Sequence, residues 1–94
     1  MTPMQTGVDI SLYPLGEHYR PRIQAFIDRL NTHSDILIET NALSTQVWGE
    51  IGHVMRVLTE EIERAAREAP QQLVFVMKVL PALEAPAYLR DLKP

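Results

Sequence analysis

The clearest pattern near the start of the chain is an alternation of apolar and polar residues. Val8, Ile10 and Leu12 are apolar, and polar residues stand between them. Residues two positions apart share one face of a β-strand, so this alternation is typical of a strand with one buried face. We therefore predict a strand over residues 7–13.

Two later segments repeat their apolar residues at intervals of three and four positions, which is the spacing of an amphipathic helix. The first predicted helix runs from about Tyr19 to Asn31 and has a proline suited to its first turn. The second follows Glu50 and ends before Pro70, and its roughly 19 residues span ~28 Å. We predict that the acidic run of this helix, at residues 60–63, faces solvent.

Three further segments have the β-branched and aromatic composition of strands. Asp35–Thr40 and Leu43–Trp48 flank a polar corner, where Asn41 tolerates the left-handed backbone that tight hairpin turns often need. Leu73–Leu80 is almost continuously apolar, which predicts burial on both faces of the strand. The tail that follows has a weak apolar cluster able to dock on a neighbouring surface, at Leu83, Tyr88, Leu89 and Leu92.

Elements in the order βαββαβ form the split βαβ, or ferredoxin-like, arrangement. Right-handed crossovers place both helices on one face of a four-stranded antiparallel sheet, so we predict an α+β fold. A chain of 94 residues has room for one domain, with its core at about residues 6–80 and a C-terminal tail over 82–94. The second face of this sheet is predicted to lack a covering layer.

The uncovered face is predicted to mix apolar, aromatic, hydroxyl and charged side chains. Strict alternation places there Asp9, Ser11, Tyr13, Leu37, Glu39, Ser44, Gln46, Trp48, Val74, Val76 and Lys78. Exposed apolar area on this scale usually marks an interface. Polar groups within an interface need hydrogen-bonding partners, and a small molecule can supply them.

Composition narrows the range of partners. Nine Lys and Arg against twelve Asp and Glu give a net charge of −3, and the basic residues are scattered, so we expect no nucleic-acid partner. No apolar run reaches the length of a membrane span, and the first residues lack the pattern of a secretory signal. We therefore expect no membrane partner and a cytoplasmic location. The lack of cysteine excludes disulfides and thiol catalysis.

Three segments in this order resemble the YkoF-type family of thiamine- and hydroxymethylpyrimidine-binding proteins: Ile10–Gly16, Asn41–Glu50 and the lysine-bearing strand Val76–Val79. The similarity extends over about residues 6–80. It implies a ferredoxin-like fold whose open sheet faces pack together, with pyrimidine ligands held in pockets by the sheets. Because this chain has one repeat, the resemblance implies a homo-oligomer, either a dimer or a tetramer.

The resemblance makes several small polar residues candidate ligand contacts. Ser44 and Thr45 would hydrogen-bond an aminopyrimidine, although strand propensity and a cross-strand hydroxyl pair also explain them. Strict alternation turns only one of the two toward a ligand, unless a bulge re-aims the strand. Asn41 is a candidate contact as well as a turn residue. Ser11 is a candidate polar contact on the open face.

Aromatic and charged residues complete the candidate site. Tyr13 and Trp48 are candidates for stacking on a flat ring and for attraction to a thiazolium cation, and both also suit burial in a subunit interface. Asp9 is a candidate partner of an amino group or a cation. Glu50 has the same chemistry, but we favour a role at the N-terminus of the second helix. Lys78 is a candidate partner of a phosphate or of an interface carboxylate. Alternatively, its side chain extends along the sheet edge and keeps the ammonium group in water.

Candidate catalytic and metal-binding groups are sparse. Glu50 and His53 have the spacing of half a metal site in a helical bundle, but the second motif that such a site needs is missing. His18 and His33 fall in predicted turns, where we expect solvent exposure. We therefore expect no catalysis, no metal and no cofactor. Three hypotheses remain: a binding protein for thiamine or a hydroxymethylpyrimidine-like ligand, a structural or regulatory oligomer whose sheet face only builds the assembly, and a small dimeric ferredoxin-like enzyme.

Overall fold

The computed structural model describes residues 3–91. Its elements are β1 Gln5–Pro14, α1 Tyr19–Leu30, β2 Leu37–Thr40, β3 Thr45–Glu50, α2 Ile51–Glu68, β4 Leu73–Pro81 and α3 Ala87–Asp91. The two long helices agree closely with the predicted ones, whereas β3 lies two residues further along the chain than predicted. Within the described range, no helix has both the length and the apolar character needed to cross a membrane.

The four strands form one antiparallel sheet in the order β2-β3-β1-β4. The central strand β1 pairs with β3 from Gln5 to Ile10 and with β4 from Thr6 to Pro14. This strand order, together with the helices that connect the strands, confirms the predicted α+β, ferredoxin-like arrangement.

The core lies between one face of the sheet and the two long helices. Its buried residues are Val8, Ile10, Leu12, Ile36 and Val47 on the sheet side and Phe26, Leu30, Val54, Val57 and Leu58 on the helices. The rings of Phe26 and Phe75 tie α1 to β4, with centroids 5.1 Å apart. Full burial of one such side chain stabilises the fold by about 1.5–3 kcal/mol.

Glu50 caps the N-terminus of α2. Its carboxylate accepts hydrogen bonds from the backbone N–H groups of Gly52 and His53, each at 3.0 Å. These two bonds satisfy donors that have no partner within the helix, and they lower the pKa of Glu50 below its ordinary value. The predicted helix-terminal role of Glu50 is therefore confirmed.

The prediction that β4 is buried on both faces is wrong. β4 is an edge strand, and its apolar side chains remain exposed on the open face, as at Val76, and on the helix side, as at Met77 and Val79. On the helix side the reason is length: the 12 residues of α1 span ~18 Å, whereas the nine residues of β4 span ~30 Å. The apolar composition of this strand therefore marks a surface of the single chain.

The C-terminal segment covers part of the open face. In α3, Leu89 is buried, and the Tyr88 hydroxyl donates to the carboxylate of Glu39 on β2 at 2.9 and 3.0 Å. This hydrogen bond raises the pKa of Tyr88. The tail thus docks on the chain's own sheet, and the prediction of a wholly uncovered face is wrong for its β2 side. Leu92, the last member of the predicted tail cluster, lies outside the described residues.

Two predictions of solvent exposure are also wrong. Glu61 of α2 is only 2% exposed, and His33 is partly buried beside it. The His33 Nε2 atom lies 2.8 Å from a Glu61 carboxylate oxygen, while Arg64 Nε and Arg29 Nε lie 3.0 and 3.5 Å from the other oxygen. Burial acts to raise the pKa of Glu61, but these partners together lower it. Pairing is the reason that this carboxylate can be buried.

Candidate functional site

The sheet opens at one end because β1 is longer than its pairing with β3. β3 stays beside β1 only as far as the pair Ile10↔Thr45, whereas β1 continues to Pro14 with β4 as its one strand neighbour. The loop between β2 and β3 lies near this end of β1, since both line the same two concave regions.

The first region is a cavity of about 320 Å³ that we call the hairpin cavity. Residues 10–14 of β1 and residues 40–45 of the β2–β3 hairpin form two of its walls. The third wall comes from α1, which places this cavity on the helix side of the sheet; it consists of Tyr19, Ile23, Phe26 and Ile27. A volume of this size is within the ~300–1,000 Å³ of ordinary small-molecule pockets.

The second region lies on the open face of the sheet, and we call it the sheet-face hollow. It has a volume of about 400 Å³. Its lining residues are Asp9, Ser11, Tyr13, Asn41, Leu43, Ser44, Gln46, Val76 and Lys78. The two regions share the hairpin loop and the outer part of β1, so a ligand at this end of the sheet can contact both.

Most of the predicted site residues come together here. Ser11, Tyr13, Asn41 and Ser44 line both regions, Thr45 lines only the hairpin cavity, and Asp9 lines only the sheet-face hollow. These residues come from two segments about 30 positions apart in the sequence. The antiparallel pairing of β1 with β3 brings the segments together.

Trp48 is not part of this group. It is 8% exposed and lines a separate concavity with Pro3 and residues of the C-terminal segment, among them Glu84 and Arg90. Its ring lies across Gly7, the residue directly opposite on β1. This location gives Trp48 no contact with the hairpin cavity or the sheet-face hollow.

A hydrogen bond joins the hairpin loop to the open face of β1. The Ser44 hydroxyl donates to the carboxylate of Asp9, although 35 positions separate the two residues. Gln46 and Lys78 lie opposite Asp9 on the neighbouring strands. A polar row therefore crosses three strands at the floor of the sheet-face hollow.

A pair of hydroxyls lies on the helix side of the same hairpin. Thr45 is 5% exposed, and its Oγ1 atom lies 3.1 Å from Oγ1 of Thr40 on β2. Ser44 and Thr45 therefore turn to opposite faces, as strict alternation requires. Each hydroxyl reaches a different side of the same end of the sheet.

Asn41 shapes the hairpin loop by hydrogen bonding. Its side-chain oxygen accepts from the N–H groups of Leu43 and Ser44 at 2.8 and 3.1 Å, and its own N–H donates to the Ser44 carbonyl at 3.0 Å. Asn41 does not adopt the left-handed conformation that its residue type tolerates: within residues 3–91 the non-glycine residues with positive φ are His18 and Ala82. The Asx turn makes a left-handed residue unnecessary here.

Sequence reasoning missed several residues of this site. Thr40 is predicted only as the end of a strand beside the hairpin turn, and the α1 wall that begins at Tyr19 is not among the predicted contacts. The Thr40–Thr45 pair was accessible from the sequence, because both residues flank a four-residue loop and such residues face each other across a hairpin. The α1 wall depends on the packing angle of the helix, which periodicity does not give.

No family model and no curated protein matches this sequence. Among solved structures, the chain is similar to one from Thermotoga maritima called "a putative thiamine biosynthesis/salvage protein", with a TM-score of 0.71 and 20% identity over 81% of this chain and 82% of that one. The likeness shows a shared fold. A hypothetical protein of Methanocaldococcus jannascii has a TM-score of 0.69 and 19% identity, over 88% of this chain and 82% of that one. A Bacillus cereus domain of unknown function, DUF77, has a TM-score of 0.63 and 15% identity, over 88% and 83% of the two chains.

Proposed function

We propose that this chain is a non-enzymatic binding protein for thiamine or its hydroxymethylpyrimidine moiety, and that the pyrimidine occupies the hairpin cavity. The observation that supports the proposal is the convergence of Ser11, Tyr13, Asn41, Ser44 and Thr45 around one cavity of about 320 Å³. The name of the Thermotoga maritima neighbour and the resemblance of the chain to YkoF-type proteins agree with this ligand class.

The chemistry of the cavity suits an aminopyrimidine. Its ring nitrogens accept hydrogen bonds and its exocyclic amine donates them, so the ligand needs both kinds of partner. Hydroxyls and an amide provide both kinds, and in the hairpin cavity they come from Thr40, Thr45 and Asn41, whereas the Ser44 hydroxyl turns to the sheet-face hollow. Tyr19 of α1 offers an aromatic face to a flat ring in this cavity, whereas the Tyr13 side chain lies on the open face of the sheet.

The composition of the lining also favours binding over catalysis. The residues that line the hairpin cavity include no carboxylate, imidazole, ammonium or guanidinium group. General acid–base catalysis most often uses such groups placed against the reacting atoms. Asp9, the nearest carboxylate of the predicted site, lies on the other face of the sheet and is engaged by Ser44.

We also propose that the protein forms a homo-oligomer, either a dimer or a tetramer. The subunits associate through the uncovered β1–β4 side of the open face. Tyr13, Val74 and Val76 are exposed large apolar residues on this side. A partner subunit packed there would close the sheet-face hollow, so that the ligand would lie close to the subunit interface.

Calorimetric titration with thiamine and with hydroxymethylpyrimidine tests the proposal. We expect a saturable heat at one site per subunit or per dimer. Thr59→Ala is a matched control, because it removes a threonine hydroxyl from the exposed side of α2, where the hydroxyl bonds only its own helix backbone. This variant should bind as the parent does. A lack of saturable heat with both compounds would overturn the proposed function.

A further inference from the structure

The outer part of β1 has a strand on one side only. Ser11, Leu12 and Tyr13 pair with β4, whereas the pairing with β3 has already ended at Ile10. In an antiparallel sheet, alternate residues direct their N–H and C=O groups toward opposite neighbours. Some backbone groups of this stretch therefore point away from β4, toward the position that β3 no longer occupies.

The hairpin loop does not supply partners for these groups. The loop backbone bonds within itself, from Asn41 N–H to the Ser44 carbonyl and from the N–H groups of Leu43 and Ser44 to the Asn41 side chain. Within residues 3–91, no backbone hydrogen bond joins residues 11–14 to this loop. The side of β1 that faces the hairpin is thus an unpaired strand edge inside the fold.

The hairpin cavity lies against this edge. Five consecutive residues of β1, from Ile10 to Pro14, line it. Side chains of consecutive strand residues point to opposite faces, so a cavity that touched only one face of β1 would be lined by every second residue. An uninterrupted run indicates that the cavity faces the side of the strand, where the backbone groups are.

We infer that backbone N–H and C=O groups of β1 at residues 11–13 form hydrogen bonds with one edge of the ligand. The ligand thus takes the place of the missing residues of β3. The inference rests on the proposed function and adds the element that recognises the ligand. The ligand class is a planar heterocycle with a donor and an acceptor side by side on one edge. The exocyclic amine and the adjacent ring nitrogen of a 4-aminopyrimidine form such an edge, and one strand residue offers a matching C=O and N–H pair.

This mode of recognition separates the role of the backbone from that of the side chains. Backbone groups stay in place when Ser44 and Thr45 become alanine, so the double variant retains selectivity for the amino edge while its affinity falls. A ligand that lacks the 4-amino group loses the donor for the β1 carbonyl. We expect it to bind at least about tenfold more weakly than hydroxymethylpyrimidine, both to the parent and to the double variant.

Amide hydrogen exchange with and without hydroxymethylpyrimidine provides the direct test. Residues 6–9 of β1 are an internal control, since they pair with strands on both sides. Stabilisation of the whole fold slows exchange at every site that opens globally, whereas a ligand bond to the backbone adds protection at residues 11–13 alone. We expect at least one of these three amides to slow by about tenfold more than the control residues.

The outcomes distinguish this inference from the proposed function. Saturable binding with added protection at residues 11–13 and a penalty for the desamino compound supports both. Saturable binding with no added protection at residues 11–13 overturns recognition of the ligand by the β1 backbone and leaves the proposed function intact. Equal affinity for hydroxymethylpyrimidine and the desamino compound has the same consequence. An absence of saturable binding overturns both.

Discussion

Glu61 illustrates how a single charged residue can be buried between two helices. It follows Leu58 by three positions and therefore belongs to the apolar stripe of α2. Its burial depends on Arg29 of α1, on His33 after α1 and on Arg64 of its own helix. Removal of the charge would leave the two arginines without their counter-charge, so this residue holds the two helices together at their polar contact.

A pH titration of stability tests the role of Glu61. The folded pKa of Glu61 is below its ordinary value of 4.5, so its contribution is fully present above the unfolded pKa and is lost as pH falls through the folded pKa. We expect Glu61→Gln to lower the free energy of unfolding by about 1–3 kcal/mol at neutral pH. Below the unfolded pKa, the urea-unfolding curves of variant and parent should approach each other. Glu50 also has a lowered pKa, but it is present in both proteins and so contributes equally to their pH dependence. A stability difference between variant and parent that stays constant as the pH falls would therefore contradict this role of Glu61.

The hydroxyls of the hairpin give a second residue-level prediction. We expect the double substitution Ser44→Ala and Thr45→Ala to weaken binding of hydroxymethylpyrimidine by about 1–3 kcal/mol, the scale of one or two lost hydrogen bonds in a partly buried site. The loss of stability should be smaller than this if the bonds go chiefly to ligand. Calorimetry and thermal melting, with Thr59→Ala as the control, measure the two effects. Unchanged affinity would exclude these hydroxyls from the site.

Residue-level sequence reasoning succeeded where alternation determines the answer. It placed Asp9, Ser11 and Tyr13 together on the open face and turned Ser44 and Thr45 to opposite faces. It failed for Glu61, because the run of acidic residues around it concealed its position on the buried stripe. The Asx turn at Asn41 depends on a local side-chain bond that competes with the left-handed alternative, and composition does not distinguish the two.

At the scale of elements, β1 and β3 fit together around one glycine. A Cβ atom added at Gly7 would clash with the ring of Trp48, the opposite residue on β3. We expect Gly7→Ala to lower the free energy of unfolding by about 1–3 kcal/mol, because a side chain that is already buried would have to move. Denaturant unfolding followed by far-UV circular dichroism measures the change, because this signal does not depend on the single tryptophan, Trp48.

A compensating substitution separates this clash from a general effect on β1. In the background of Trp48→Leu, the smaller side chain leaves space over residue 7. Gly7→Ala should then cost much less than it does beside tryptophan. An equal cost in both backgrounds would show that the ring of Trp48 is not the reason for glycine at this position.

The helices were more predictable than the exposed faces of the sheet. Periodicity places α1 and α2 because each buries one continuous stripe. It could not show that α1 is too short to cover β4, since coverage depends on the relative lengths of two elements. Nor could it show that the tail folds back to bury Leu89 and to bond Glu39 through Tyr88, since five helical residues have too few repeats for a pattern.

For the molecule as a whole, the exposed apolar surface is unevenly distributed. The C-terminal segment bonds to β2 and shares a concavity with Trp48, so the β2–β3 side of the open face is partly covered. The opposite side retains Tyr13, Val74 and Val76 at the surface. Patches of this kind on small domains commonly mark association sites. We therefore expect the interface on the β1–β4 side.

The last prediction uses the two faces of β4 to locate this interface. Val76 and Val79 are similarly exposed, at 49% and 44%, but they lie on opposite faces of the strand, with Val76 on the open face. We expect the parent to sediment as a dimer or tetramer at micromolar concentration and Val76→Asp to shift it toward monomer, because a buried unpaired carboxylate is costly. Val79→Asp, the matched control, should leave the oligomer unchanged. If Val79→Asp dissociates it and Val76→Asp does not, the subunits associate through the helix side of β4. A parent that sediments as a stable monomer contradicts oligomerisation altogether.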